Sequence, residues 1–460
     1  VAAARSNGSL KEIRLVGNSS LRHLLASHLM TELAQPGSFD IFFDTPRGSN
    51  HRAFAFRTKA AMGTWPAGTP VLVTKRELVD LDGGQVPLFN GSTVAHMLVD
   101  TNCAPLVGGA SPTSDVELPG FLCSATYSAP AHAGLTDMGP SVMAYAINGG
   151  TGNSGTLQLD SQDLVLGIYG VAVNKKLYLA LQKAQGLVPL SATSIDETPA
   201  GQPSLGKSFV AGALTGSLLG SGSSKDGWNS VIPAEVDANI LAKRIHVCRF
   251  IQGAGAQAAS NGFFAAAGMT IGSTINSLPV TSGSSTTLPS SALGTITTTQ
   301  NRSIEAVEDC LATVEALPDS TGGAYGFAVL SLNTNTAGVM PGSVADKPFR
   351  FIKLSQVAPT RAQVNMGNYE FVYAAQMSWA PAEVAWAPSA DVLPFLTALR
   401  QHMGAARTLA AMKPALQQGL LAQADSFTGP WPDLPADVQA YSSRVSRKGG
   451  NNASEISQRK

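Results

Sequence analysis

The chain has 460 residues, with 31 basic and 31 acidic side chains, so its formal net charge is zero. Because there is no basic excess, we expect no nucleic-acid partner. Because no run of about 18 consecutive apolar residues occurs, we expect no transmembrane segment. The hydrophobic fraction of 44% is enough to build a core and excludes disorder of the whole chain.

The chain opens with a predicted strand followed by a helix. Residues 11–17 alternate in polarity, which predicts the strand, and leucines at 21, 24, 25, 29 and 33 lie at helical spacing. Asn18, Ser19 and Ser20 between them are typical helix N-cap residues. A helix start behind a glycine turn can seat an anion on its backbone N–H groups. An ordinary capped strand–helix unit explains the same pattern.

The remaining elements alternate between strands and helices. Strands are predicted at 69–74, 164–174, 244–251, 327–332 and 349–354, and helices at 176–184, 207–214, 256–266, 303–316, 391–403 and 405–422. This alternation predicts an α/β protein with mostly parallel sheets.

Residues 250–301 carry no charged side chain and no histidine. The Ser/Thr-rich part, 265–301, predicts a long irregular excursion or a hairpin that a neighbouring surface covers. The polar ends, 1–9 and 442–460, are expected to dock on another surface, and a second copy of the chain is one candidate.

Four cysteines, at positions 103, 123, 248 and 310, show no CxxC spacing. Wide gaps and an even number suit two disulfides, Cys103–Cys123 and Cys248–Cys310, with four buried free thiols as the alternative. Disulfides and a low charge content favour an extracytoplasmic protein. The first residues lack a start Met and an apolar stretch, which predicts a secreted chain whose signal peptide has been removed.

Motifs for catalysis and metal binding are missing from the sequence. HExxH, Walker A and GxSxG do not occur, and the seven histidines lack metal-ligand spacing. We therefore expect no enzyme, no cofactor and no metal. Residues 253–258 match GxGxxA, but no acidic residue follows about twenty positions on to hold a ribose. The match still predicts a glycine turn before a helix start, a second seat for an anion.

Several short motifs occur in a suggestive order. They are the opening strand–GNSSL–helix, GLTDMG at 134–139, LGIYGVAVN at 166–174 and CRFIQGAGAQAASN at 248–261. Together they resemble the phosphate-binding-protein branch of the type 2 periplasmic solute-binding proteins. The segment 325–330 is similar to the returning crossover strand of that family.

The resemblance implies a fold and a domain division. The expected fold is a two-lobed α/β structure with two crossover strands and a helical C-terminal region. Residues 1–165 with 327–460 would form lobe one, and residues 166–326 lobe two. A small-molecule or oxyanion ligand would bind in the cleft between the lobes.

The resemblance also implies which residues bind the ligand. Asp137 falls on the family's acidic position, which accepts a proton from phosphate. The full implied set is Ser19, Ser20, Asp137, Gly253, Gly255 and Gln257.

The match in the second lobe is incomplete. The family's arginine aligns with Phe250, and its serine and threonine align with Ala254 and Ala256. Arg249 lies one residue earlier and should point to the other side of the strand. Losing these groups weakens anion binding by roughly 3–5 kcal/mol, which makes tight phosphate binding unexpected.

Two functions of different classes follow. The first is a non-enzymatic solute-binding protein with a degenerate anion site. The second is a self-associating structural subunit of an extracellular filament, sheath or surface layer, built on the same scaffold. Low charge, the uncharged run and the degenerate anion site favour the second, because uncharged surface is easily desolvated.

Overall fold

The computed structural model describes residues 1–45, 51–78, 84–106, 120–144, 158–215, 218, 227–264, 285–287, 296–318, 325–332, 347–412, 419–423, 430–447 and 456–458. The strands are β1 Lys11–Gly17, β2 Asp40–Phe43, β3 His51–Arg57, β4 Pro70–Glu77, β5 Thr93–Met97, β6 Ala104–Pro105, β7 Gly120–Leu122, β8 Thr126–Pro130, β9 Ala133–Thr136, β10 Asp160–Asn174, β11 Ser204–Leu205, β12 Ile245–Phe250, β13 Ser285–Thr287, β14 Ile296–Asn301, β15 Tyr325–Ser331, β16 Phe349–Phe351, β17 Lys353–Leu354, β18 Val372–Trp379, β19 Leu420–Ala422, β20 Val445–Arg447 and β21 Ile456–Gln458.

The helices are α1 Ala2–Ser6, α2 Arg22–His28, α3 Val86–Asn90, α4 Pro140–Met143, α5 Lys175–Ala184, α6 Lys207–Thr215, α7 Gly255–Phe264, α8 Ile304–Ala316, α9 Arg361–Asn365, α10 Leu393–His402, α11 Ala406–Ala411 and α12 Ala436–Tyr441. A π-helical turn, Leu29–Leu33, continues α2. Single 3₁₀ turns lie at Trp228–Ser230, Ile240–Ala242 and Trp431–Asp433. The chain is an α/β protein, as the sequence predicts.

The main sheet runs through one long strand, β10. Its neighbours follow the order β13-β14-β12-β15-β10-β18-β9-β1-β4-β3-β2-β7-β6, and β16 and β19 also pair with β10. Residues 160–168 of β10 pair with β18, and residues 169–173 pair with β15. We call the strands from β18 to β6 in this order the first sheet segment, and the strands from β15 to β13 the second sheet segment.

Two large hydrophobic clusters flank this change of partners in the described residues. One lies around the first sheet segment and includes Ile13, Phe54 and Phe395. The other lies around the second sheet segment and includes Leu177 and Phe327. Buried apolar area is the main favourable term in folding, so each cluster stabilises its own part of the sheet. The lobe boundaries at 165/166 and 326/327 stay a prediction.

The sheet is mixed, so the predicted mostly parallel arrangement is wrong. β1 pairs in parallel with β4 and β9, and β12 pairs in parallel with β14 and β15. The pairs β2–β3, β3–β4, β10–β15 and β10–β18 are antiparallel. Residues 44–50 between β2 and β3 are too few for the crossover that a parallel pair requires, so these two strands form an antiparallel hairpin.

The predicted helix at 405–422 is correct only in its first part. α11 ends at Ala411, residues 413–418 lie outside the described residues, and residues 420–422 form β19. β19 pairs with residues 165–167 of β10, so its buried apolar side chains extend the sheet. A short apolar run does not distinguish a buried strand from a helix.

Both predicted disulfides are confirmed. Cys103–Cys123 joins the residues that flank β6 and β7, and Cys248–Cys310 joins β12 to α8. The alternative of four free thiols is therefore wrong.

The described parts of the two ends pack on their own chain. In the N-terminal helix, the Arg5 guanidinium lies 2.7 Å from Glu12. Ser442 and Ser443 are fully buried, and the Ser443 N–H donates to the Ala422 carbonyl at 2.8 Å. In the uncharged excursion, β13 and β14 form an antiparallel pair, and the rest of 265–295 lies outside the described residues.

Candidate functional site

The carboxyl ends of three parallel strands meet beside residues 18–20. β1 lies between β4 and β9, and its last residue, Gly17, is level with Glu77 on β4 and Leu135 on β9. The segments that follow β1 and β9 therefore leave the sheet at the same edge. These segments carry two of the predicted residues, Ser20 and Asp137.

Asp137 is the centre of a buried hydrogen-bond network. The Ser20 hydroxyl donates to Asp137 Oδ1, and the Tyr169 hydroxyl of β10 donates to Asp137 Oδ2 at 2.8 Å. The Asn18 side-chain oxygen accepts from the backbone N–H of Ser20 at 3.1 Å. Asp137 is 6% exposed. Two predicted binding residues thus contact each other, and β10 supplies a third group that the sequence analysis missed.

Burial raises the pKa of the Asp137 carboxyl. Hydrogen bonds from Ser20, Tyr169 and Asn18, together with the charge of Lys75, act in the opposite direction. The Ser20 hydroxyl has one proton and two acceptors within reach, because Asn18 Oδ1 lies 2.7 Å away. A protonated Asp137 would relieve this shortage by donating to Ser20. The raised pKa and the contacts of Ser20 both favour the protonated form of Asp137.

Three cations surround one carboxylate next to this network. Glu77 Oε2 lies 2.8 Å from Arg22 Nη2, and Glu77 Oε1 lies 3.5 Å from Lys75 Nζ and 3.6 Å from Arg52 Nε. All four side chains are at most 5% exposed. Isolated buried charges are strongly unfavourable, so this close pairing is what allows them to stay in the interior.

The geometry of β3 and β4 explains why the cations gather. Lys75 and Glu77 are two residues apart and so point to the same face of β4. Arg52 on β3 is the cross-strand partner of Lys75. The Lys75 ammonium also donates to the Asn18 carbonyl, which joins the cations to the Asp137 network. We call the whole set the polar cluster; its charged and hydrogen-bonding members are Asn18, Ser20, Arg22, Arg52, Lys75, Glu77, Asp137, Tyr169 and Glu305.

Burial lowers the pKa of the Lys75 amine to about 8. The charge of Glu77 opposes this shift, while Arg22 and Arg52 reinforce it. Lys75 is fully buried, so its charge depends on its partners rather than on water.

One member of the polar cluster, Glu305, lies on a helix that packs against the second sheet segment. It is in the first turn of α8, and its Oε1 is 2.9 Å from Arg22 Nη1. Burial acts to raise the pKa of Glu305, but the charge of Arg22 and several hydrogen bonds outweigh burial, so the pKa lies below its usual value. The Arg22–Glu305 ion pair therefore connects the two sheet segments.

The start of α2 differs from the prediction. The residue before α2 is Leu21, and no side chain caps the helix. The Asn18 side chain instead holds Ser20, and the Ser19 carbonyl accepts from the Arg22 N–H and from Arg22 Nε, both at 3.1 Å. These contacts use Asn18 and Ser19 to hold the polar cluster rather than the helix terminus.

The other predicted residues lie at the start of α7. Gly253 has a φ of +90° in the turn before α7, where glycine is favoured, and Gly255 begins the helix. The Gln257 side chain donates to Asn261 at 2.9 Å. α7 contacts α4, which follows Asp137 closely in the chain. The structure thus brings Ser20 and Asp137 together, whereas Gly253, Gly255 and Gln257 lie at the turn before α7 and in its first turn.

The second sheet segment lacks the polar groups that the family pattern would supply. Phe250, Ala254 and Ala256 are buried in the hydrophobic cluster. Arg249 is 6% exposed, and burial lowers the pKa of its guanidinium to about 10. The arginines of the polar cluster are instead Arg22 on α2 and Arg52 on β3, whose positions gave no signal in the sequence.

In the described part of the chain, no group of three or more His, Cys, Asp and Glu side chains is placed to hold a metal ion. Among the helices that the structure describes, none combines the length and the apolar character that spanning a membrane requires.

Comparison with known proteins gives distant similarity in structure alone. No family model and no curated protein matches the sequence. The chain is similar to a protein assigned as a phosphate ABC transporter substrate-binding protein from Clostridium perfringens, solved with bound phosphate. The identity is 9% over 86% of this chain and 98% of that chain, and the TM-score is 0.40. It is also similar to an ABC-type phosphate transport receptor from Vibrio cholerae, with 11% identity over 61% of this chain and 77% of that chain, and a TM-score of 0.32. At this distance no residue role is transferred from either protein.

Proposed function

We propose that the chain is a non-enzymatic, extracytoplasmic binding protein of the two-lobed solute-binding kind, which takes a small oxyanion such as phosphate at the polar cluster. The observation that carries the proposal is the gathering of Arg22, Arg52 and Lys75 in the interior. Only 13% of the residues of this chain are charged. Three buried cations beside hydroxyl and amide donors form a set suited to an oxyanion.

The proposed affinity is low. Glu77 and Glu305 already form ion pairs with Arg22, and Asp137 adds a further carboxyl group to the same site. An oxyanion must therefore compete with side chains of the chain itself. Ser20 and Asp137 are the proposed ligand-binding residues of the first sheet segment, with Ser19 beside them. Gly253, Gly255 and Gln257 stay proposed contacts from the second sheet segment.

The two disulfides bear on the compartment in which the protein works. Two disulfides are stable in oxidising compartments such as the periplasm and the extracellular space. We propose that the chain works there.

Thermal unfolding in phosphate, sulfate and chloride at matched ionic strength tests the binding function. A ligand present at ten times its dissociation constant stabilises the folded state by about 1.4 kcal/mol. We expect phosphate or sulfate to raise the unfolding midpoint above that in chloride. Arg22→Gln should abolish this difference, while Arg350→Gln, which loses an ion pair with Glu197 away from the polar cluster, should keep it. If phosphate and sulfate act no differently from chloride at tens of millimolar, the oxyanion function is wrong.

A structural subunit of an extracellular filament, sheath or surface layer is the second candidate. The charges of the polar cluster are balanced by side chains of the chain itself, and a scaffold that needs no ligand would be built in this way. This observation favours the structural subunit. The described ends pack on their own chain, which favours the binding protein. Electron microscopy and analytical ultracentrifugation at high protein concentration separate the two: regular polymers support the subunit, and dispersed monomers exclude it.

A further inference from the structure

Arg22 is held between two carboxylates that differ in origin and exposure. Glu77 comes from β4 of the first sheet segment, and its side chain is 3% exposed. Glu305 comes from α8, which packs against the second sheet segment, and its side chain is 37% exposed. Each lies within 2.9 Å of a different terminal nitrogen of Arg22.

The two carboxylates also differ in what depends on them. Glu77 is shared by Arg22, Arg52 and Lys75, so its removal would leave three buried cations poorly matched. When Glu305 is displaced, Glu77 still balances those cations. Of the two, Glu305 is therefore the group that an incoming anion can replace at low cost.

We propose that Glu305 competes with the ligand for Arg22. The Glu305 carboxylate occupies the position next to Arg22 Nη1 that an oxyanion from solution would take. This inference rests on the proposed function and deepens it, because it names the residue that sets the affinity and the ligand class of the site. With Glu305 in place, the three cations face three carboxyl groups. With Glu305 displaced, the three cations face two carboxyl groups, so one further negative charge is favoured there. This charge balance selects a small oxyanion over an uncharged solute.

The competition also links ligand binding to the contact between the sheet segments. The Arg22–Glu305 ion pair joins α2 to α8, so an oxyanion that replaces Glu305 must break this contact and offer its own acceptors to Arg22. Tetrahedral oxyanions have several acceptor oxygens and can bridge donors in this way. A carboxylate from a side chain has two.

Titration calorimetry with inorganic phosphate and with sulfate tests the proposal on four proteins: the unmodified chain, Glu305→Gln, Glu305→Ala and Glu308→Gln. Glu308 is the matched control, because it lies three residues further along α8 and forms an ion pair with Lys347 at 2.5 Å. We expect both Glu305 variants to bind at least one of the two anions about ten- to a hundredfold more tightly than the unmodified chain. Glu308→Gln should bind with the affinity of the unmodified chain.

A double variant shows whether the gain acts through the arginine. Adding Arg22→Gln to Glu305→Gln should remove the whole gain in affinity. Circular dichroism confirms that each variant is folded before titration.

The outcomes separate this inference from the proposed function. If the unmodified chain binds an oxyanion and the folded Glu305 variants bind it no more tightly, Glu305 is not a competitor and the binding function stands. If none of the four proteins binds phosphate or sulfate, the binding function is wrong and the inference fails with it.

Discussion

Asp137 is buried among hydrogen-bond donors, and burial and hydrogen bonding act on its pKa in opposite directions. Burial is the largest influence, so the pKa is raised in the folded protein. An acid whose pKa is raised on folding binds its proton more tightly in the folded than in the unfolded state. Its ionisation therefore reduces the stability as the pH increases from about 4, the value in an unfolded chain, through the raised pKa.

Tyr169→Phe tests this balance. The Tyr169 hydroxyl donates to Asp137 at 2.8 Å and favours the ionised form. Its removal should cost about 1–2 kcal/mol of unfolding free energy, and the cost should increase with pH as Asp137 ionises, because the lost hydrogen bond is stronger to a carboxylate. Urea unfolding at a series of pH values from about 4 upward measures the cost.

Tyr178→Phe is the matched control, since Tyr178 is a similarly buried tyrosine of the same hydrophobic cluster. Its cost should not increase with pH in this way. A cost of Tyr169→Phe that stays the same over the whole pH series would contradict the assigned role of the hydroxyl.

Two of the residues that the resemblance implies, Ser20 and Asp137, lie in the polar cluster. Both lie close behind strands, and short motifs carry them. Arg22, Arg52 and Glu305 gave no such signal, because their roles depend on contacts across hundreds of residues or between neighbouring strands. Arg22 and Glu305 are 283 positions apart in sequence. A chain read in local windows shows each of them as an ordinary charged residue on a surface.

Among the elements, β1 was predicted with its observed bounds, because alternation in polarity and the following glycine mark both ends. Strand-to-helix units such as β10–α5 were also found from the sequence. The error at β19 has a physical cause: the pairing partner of a three-residue apolar strand lies far away in the chain, on β10. Sheet direction was missed for the same reason, since pairing is decided by tertiary contacts.

The turn between β1 and α2 depends on Gly17, and a substitution there tests how this element positions the polar cluster. Gly17 has a φ of +121°, and a Cβ atom there would lie 1.9 Å from the Leu135 carbonyl oxygen. The same carbonyl accepts the Asn18 N–H at 3.1 Å. Gly17→Ala should therefore cost about 3 kcal/mol or more, from backbone strain and from the clash together.

Gly186→Ala is the control for backbone strain alone. Gly186 has a φ of +68°, and nothing lies within 4 Å of an added Cβ. Its cost should be about 1 kcal/mol. Urea unfolding of both variants gives the comparison. Similar costs for the two glycines would show that the strand edge moves to accept the methyl group, and that the turn does not fix the polar cluster.

At the scale of the whole molecule, burial of ionisable groups makes stability depend on pH. Four histidines in different parts of the fold are buried or nearly so. Burial is the largest cause in each case, and it lowers the pKa to about 3 for His28, His96 and His132 and to about 4 for His246. They lie in α2, in β5, just before β9 and in β12, so protonation weakens several parts of the molecule rather than one site.

The sign of the pH dependence follows from these shifts. A histidine whose pKa is lowered on folding stays neutral in the folded protein, while the unfolded chain binds a proton below about pH 6.5. The stabilisation from these groups is therefore present above pH 6.5 and is lost as the pH falls towards 3. Each such histidine contributes a slope of up to about 1.4 kcal/mol per pH unit in this range.

His96→Gln tests the contribution of one of them. His96 is fully buried, and the variant should show a flatter dependence of unfolding free energy on pH between 6.5 and 4.5, by about 1.4 kcal/mol per pH unit. The slope is the decisive quantity, because loss of packing changes the stability by a similar amount at every pH. Met97→Ala, at a buried position of the same strand, is the control, because it removes packing without removing a titratable group and should leave the slope unchanged. If His96→Gln has the slope of the unmodified chain in urea unfolding at a series of pH values, the buried imidazole already binds its proton in the folded state, and His96 does not contribute to the acid sensitivity of the molecule.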